Sequence, residues 1–279
     1  MKSFFFIYTL KKDTFYTIIF FIFGGEVMNI EINNLDYENI FKNLTLNINE
    51  KDFITIVGSS SCGKTTLAKL LCGYIKIDNI KINGNTDDIS VVFDNIEDNF
   101  IYDTVLENLV FPLENRNYSK NEIDEKLNDI VTYLKIEDLL DCNINTLSGG
   151  EKELVALASS LITEPKLLII DDAFSMLDII QKEKIFKLLK KLNREKKTTI
   201  VYLTSDVESI VYGKSIAIIS NKTIIKNEPL KTILKDEKSF KSAKQKLPFM
   251  ADLSLKLKYY NLIDDIILEE SKMVDALWK

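Results

Sequence analysis

Eight consecutive residues constrain this chain more than any others. Gly58, Ser59, Ser60, Ser61, Cys62, Gly63, Lys64 and Thr65 fit the pattern G-x-x-x-x-G-K-[ST]. The apolar run Phe53–Val57 precedes them and reads as a short buried strand, while residues 67–71 follow and read as a helix. In that context the loop's backbone N–H groups converge at a helix N-terminus, where the helix dipole favours an anion. Lys64 would neutralise the β- and γ-phosphates of ATP, the Thr65 hydroxyl would reach Mg²⁺, and Thr66 joins residues 58–65 among the expected ATP-binding residues. A glycine turn with a surface lysine explains the letters of the motif but not the strand and helix that flank it.

Two further segments extend the pattern. Residues 167–170 are apolar and end in Asp171 and Asp172, which suits a parallel strand buried on both faces. Asp171 at its end would hold Mg²⁺ through water. Leu147, Ser148, Gly149, Gly150 and Glu151 open the apolar stretch 154–158, and Ser148 with Glu151 three residues on makes a capping box. A helix start explains these residues locally. Their order and spacing go further: Ser148 lies 23 residues before Asp171, residues 175–178 follow that acid pair closely, and Tyr37 lies 21 residues before Gly58.

Taken in this order, the segments resemble the ATP-binding cassette (ABC) family over residues 28–279. The resemblance implies an α/β phosphate-loop NTPase core with a parallel sheet, an antiparallel β subdomain, a helical signature subdomain and a helical C-terminal tail. It places Tyr37 against adenine, Asp94 in the Q-loop, residues 147–151 in the signature that contacts a partner's ATP, Asp178 in the D-loop and Ser205 at the switch position. Residues 94–100, 175–178 and the C-terminal Leu247, Pro248, Phe249, Leu253, Val274, Leu277 and Trp278 look like an energy-coupling factor transporter ATPase, and more like the first of its two ATPases. Such importers take up vitamins and metal ions. The resemblance therefore implies a second ABC ATPase, a transmembrane coupling protein and a substrate-binding membrane protein as partners, at the cytoplasmic face of the cell membrane. Two alternatives remain at this stage: a nucleotide-binding structural subunit without hydrolysis, and a soluble ABC protein outside transport.

Some positions depart from the family's pattern. Asp172 stands where a glutamate normally orients or deprotonates water, and is one methylene shorter. Ser205 stands for a histidine and carries no positive charge. Asp94 stands for a glutamine and adds a negative charge near the phosphates. Such changes to preorganised electrostatics are worth a few kcal/mol each, so impaired hydrolysis at this chain's own site is expected. Ser61 replaces a glycine, which stores strain if the position needs φ > 0. Leu154 replaces an arginine on the signature helix.

Composition excludes other classes. The 279 residues carry a net charge of −6, without the basic footprint of a nucleic-acid binder. Three scattered cysteines make neither a disulfide framework nor a zinc site, and the absence of histidine removes every histidine base or ligand. Residues 1–27 hold an apolar run, 15–23, too short for a membrane span. They read as a mis-assigned leader, with translation expected to start at Met28. The expected division is 28–228 for the ATPase domain, with a helical subdomain at about 95–162, and 229–279 for a dimerising helical tail. Within the ATPase domain, the stretch 83–89 is short for the family, and a helix is expected to be missing there.

Overall fold

A computed structural model describes residues 28–278; the expectation for residues 1–27 lies outside them. Two sheets organise the chain. In the smaller, β1 (Asn29–Tyr37) pairs antiparallel with β2 (Phe41–Ile48) on one side and, across β3 (Phe53–Val57) in sequence, with β4 (Ile80–Asn83) on the other. The larger adds β5 (Ile89–Val92), β6 (Leu167–Asp171), β7 (Thr199–Thr204), β8 (Ser215–Ser220) and β9 (Thr223–Pro229) to β3, in the order β5-β6-β7-β3-β8-β9. All its neighbours are parallel except β8 and β9.

The sequence explains this layout. β3, β6 and β7 are buried along their whole length, as strands covered on both faces must be, whereas β2 alternates. On one face Ile54, Ile56, Leu167, Ile169, Val201 and Leu203 pack with α1 (Lys64–Leu71) and the small sheet. A helical subdomain interrupts the sheet: α2 (Val105–Glu114), α3 (Lys120–Leu134) and α4 (Gly149–Leu161), with its own core around Leu109, Val131 and Val155. On the other face Leu168, Ile170, Ile200 and Tyr202 pack with α4 and α5 (Ile179–Glu195). The stripe Ile185, Leu188 and Leu189 of α5 is buried, as its helical spacing predicts.

The tail is helical: α6 (Leu230–Ile233), α7 (Glu237–Ser242), α8 (Phe249–Tyr259) and α9 (Glu270–Leu277). Ile233, Phe240, Leu247 and Ala251 lie against Val57, Ile216 and Ile218. In the short segment before β5 the chain forms one 3-10 turn, Thr86–Asp88. α3 is bounded by Ser119, which caps its start, and by Lys135, which turns left-handed at φ 58° at its end. No helix among the described residues is long and apolar enough to cross a membrane.

Candidate nucleotide site

Strand order assembles the site. β3, β7, β6 and β5 are parallel neighbours, so their C-terminal ends share one edge, the edge where open α/β sheets bind ligands. The segments that follow these four strands carry the loop at 58–65, Thr204 with Ser205, Asp171 with Asp172, and Asp94. Asp171 and Thr204, 113 and 146 positions from Gly58 in sequence, thereby become its lateral neighbours: Val57 is level with Thr204, and Asp171 with Leu203.

The loop is shaped by its own side chains. Gly63 has φ 100°, and a Cβ there would come within 2.6 Å of Ile40 Cγ2 and 2.9 Å of Phe41 Cζ. Glycine is therefore required twice, by conformation and by contact with the β1–β2 hairpin. Ser61 sits at φ 63°, so serine occupies a left-handed position. Cys62 turns inward: a Cβ on Gly58 would meet its Sγ at 2.6 Å, and burial pushes the thiol pKa up despite nearby Lys64. Ser60, Ser61, Gly63, Lys64, Thr65, Thr66, Ile40, Asp94 and Asp172 line a cleft of about 440 Å³. Tyr37 ends β1 at the turn closed by the Ile40 N–H bond to its carbonyl; the hairpin residue that lines the cleft is Ile40.

Lys64 is 5% exposed, and its Nζ lies 3.2 Å from Asp172 Oδ2 and 3.4 Å from the carbonyls of Gly58 and Ser59. Asp172, left-handed at φ 47°, is also held from β7. Its Oδ1 accepts from the Ser205 N–H at 2.9 Å, the Ser205 hydroxyl at 3.1 Å and the Thr204 hydroxyl at 3.2 Å. Burial raises the Asp94 pKa, and the Asp172 charge adds to that.

Asp171 is wholly buried, and neither of its carboxylate oxygens has a hydrogen-bond partner. Burial pushes its pKa up to about 6, with the charges of Asp172 and Asp94 adding; the Thr65 hydroxyl and Lys64 oppose. A buried carboxylate without a partner, beside a threonine hydroxyl, suits a divalent cation, since oxygen donors are what Mg²⁺ takes.

The signature residues stand apart from this cleft. Ser148 caps α4, accepting from the Glu151 N–H, while the Glu151 carboxylate takes the Ser148 N–H at 2.8 Å and its hydroxyl at 2.7 Å. Those bonds hold the Glu151 pKa down. Leu147 is buried beneath, and Gly149 and Gly150 lie under Met176 and Leu177. Asp178 is exposed and caps α5, accepting from the Gln181 N–H at 2.7 Å. Sequence reasoning passes over Ile40, Thr204 and Glu153; the first two carry no motif, and the third sits inside the signature helix as an apparently ordinary surface charge.

Comparison with known proteins places this geometry. The family model for ABC transporters matches residues 41–175. The energy-coupling factor transporter ATP-binding protein EcfA of Onion yellows phytoplasma (strain OY-M) is 32% identical over 273 residues, covering 90% of this chain and 98% of that protein. The chain belongs to the ABC transporter family, among its energy-coupling factor ATP-binding proteins. This energy-coupling factor ATPase also matches solved cassettes. The dimeric bacterial ABC transporter cassette MJ0796 superposes with a TM-score of 0.63 at 30% identity, over 72% of this chain and 98% of that one. The fold is shared with cbiO1 of Clostridium perfringens, part of the ABC transporter complex cbiONQ, with a TM-score of 0.66 at 23% identity over 80% and 97% of the two chains. The ATPase is thus an ATP-binding component of an importer of the energy-coupling factor type, and an enzyme of the ABC ATPase class.

Proposed function

We propose that this ATPase binds MgATP in its own cleft, hydrolyses it slowly there, and completes a second, faster site on a sister ATPase. One observation carries the reading: the Asp172 carboxylate is engaged by Lys64, Thr204 and Ser205 rather than free above the cleft. A short acid held from β7 is poorly placed to activate water, and misplacement by about 1 Å can cost on the order of 10²-fold. Ser205 spends its hydroxyl on Asp172 and offers no positive charge to a γ-phosphate.

Within the cleft, Lys64 would hold the β- and γ-phosphates, the loop N–H groups at 58–65 would surround them, and Tyr37 would stack on adenine beside Ile40. Thr65 and Asp171 would hold Mg²⁺, with Asp94 close by; the cation supplies charge neutralisation on the phosphate oxygens. Across the dimer, Ser148, Gly149 and Gly150 would present the capped N-terminus of α4 to the sister's γ-phosphate, where the helix dipole favours the anion. The D-loop with Asp178 would lie at the same junction.

The substrates would be vitamins or metal ions, selected by a substrate-binding membrane protein, with a transmembrane coupling protein between it and the ATPases at the cytoplasmic face. Exposed Ile101, Tyr102 and Leu106 on the helical subdomain supply an apolar surface for such a coupling protein. Exposed Phe249, Val274 and Trp278 support a dimerising role for the tail, residues 229–279. The test is purification through a tag on this chain. A second ATPase and membrane proteins should accompany it, and the purified complex should lose its ATPase activity on Ser148→Arg far more than on Asp172→Asn. Isolation of this chain alone, with full activity, would refute the reading.

A further inference from the structure

Glu153 lies one turn into α4 and is 4% exposed, yet nothing in the nucleotide cleft uses it. Its carboxylate accepts the Met176 N–H, at 3.1 Å to Oε1 and 3.3 Å to Oε2, and the Ser175 hydroxyl lies 3.5 Å from Oε1. Those residues end the turn that follows β6. The turn is left-handed at Asp172, φ 47°, and again at Phe174, φ 76°. A bulky residue held in that region costs of order 1–3 kcal/mol and persists only when its surroundings hold it there.

The same turn lies against the signature. A Cβ on Gly149 would collide with Met176 Sδ, and one on Gly150 would touch Leu177 Cδ2 at 3.4 Å. Three successive features of α4 therefore meet residues 175–177: two glycines by shape and Glu153 by hydrogen bonding. Burial pushes the Glu153 pKa up, and the Met176 N–H and the Lys182 charge oppose that. A buried carboxylate is expensive unless it accepts hydrogen bonds, and the donors here are backbone and hydroxyl groups of this turn.

We propose that Glu153 is a positioning residue that clamps the strained turn at 172–176 onto the signature helix, so that the acid of one nucleotide site and the surface offered to the other move as one body. This rests on the reading that Ser148, Gly149 and Gly150 complete a partner's site. What the clamp requires is an acceptor at the right reach, not a charge. Glutamine keeps that reach with its carbonyl oxygen; aspartate keeps the charge and withdraws the oxygens by roughly 1.5 Å, one C–C bond.

The experiment uses the ATPase complex purified through a tag on this chain, with Ser148→Arg as control. Glu153→Leu and Glu153→Asp are expected to lower kcat by about tenfold or more, with KM for ATP within about twofold of the unsubstituted complex. Glu153→Gln is expected to keep kcat within about threefold. Because Glu153→Asp is a mild change, it carries the test if Glu153→Leu does not fold. If Ser148→Arg stops turnover while Glu153→Asp and Glu153→Leu turn over normally, the clamp is wrong and the signature reading stands. If Glu153→Gln is as slow as Glu153→Asp, an acceptor at the right reach is not sufficient, and the clamp is likewise overturned. If Ser148→Arg also leaves turnover unchanged, the signature reading fails and takes the clamp with it.

Discussion

Lys64 Nζ stands 3.2 Å from Asp172 Oδ2, so the lysine offered to phosphate is already ion-paired with the acid of its own site. Nucleotide must compete with that pair. The Asp172 side chain is 23% exposed, and a partly solvated pair of this kind is worth about 1 kcal/mol, or about fivefold in affinity. Asp172→Asn should therefore tighten MgATP binding by about that factor in a calorimetric titration, whereas Lys64→Ala should abolish it. Weaker binding to the asparagine variant would show that the pair does not oppose nucleotide.

Asp171 makes a prediction about stability and pH. Its folded-state pKa of about 6 lies above the ordinary 3.8, so the folded protein binds more protons than the unfolded chain between those values. Stability contributed by this group is therefore present below about pH 4 and is lost as pH rises toward about 6. Asp171→Asn does not titrate. In magnesium- and nucleotide-free buffer it should be more stable than the unsubstituted protein by about 1–3 kcal/mol at pH 7.5 and no more stable at pH 4. Added Mg²⁺ should raise the melting temperature of the unsubstituted protein only. A pH-independent difference between the two would contradict the assignment.

The two sites of the complex should respond unequally. Ser148→Arg places a long side chain where the γ-phosphate of the sister's nucleotide would lie, and should reduce ATPase rate and substrate uptake by about 10²-fold or more. Asp172→Asn should change both by less than about threefold, since little catalysis is lost. Equal damage from the two substitutions, measured in the reconstituted complex, would mean that the site on this chain is a working one.

The loop offers an opposed pair of substitutions. Ser61 is left-handed at φ 63°, so Ser61→Gly should relieve strain and raise stability by about 0.5–1 kcal/mol, with nucleotide affinity kept or improved. Gly63→Ala meets both φ 100° and Ile40 Cγ2 at 2.6 Å, and should cost about 2–4 kcal/mol along with nucleotide binding. Thermal melting and a titration with MgATP read both. A stabilised Gly63→Ala variant would mean that the loop geometry is wrong.

Much of this was legible before any coordinates. The strand before Gly58, the buried run ending at Asp171, the cap at Ser148 and the stripe of α5 are local patterns, set by period, capping and burial. The strain at Ser61 was legible as well, because a single residue's conformation is a local property. What could not be read was lateral. Nothing in the sequence places β7 between β6 and β3, so the hold of Thr204 and Ser205 on Asp172 came only with the sheet order. Glu153 was hidden for a similar reason: its partners lie 22 and 23 residues away, across a helix-to-turn packing that no pattern in the letters records.

The sheet order also governs how this site can diverge. Residues 58, 172, 205 and 94 follow four adjacent strands, whose spacing of about 4.8 Å is fixed by main-chain hydrogen bonds rather than by the residues at their ends. Side chains at those ends can be exchanged without disturbing the frame that spaces them. Side chains that carry catalysis at this edge can thus be changed by single substitutions while folding, and the other surfaces that the fold presents, are untouched. A cassette built this way is free to specialise into half of a machine.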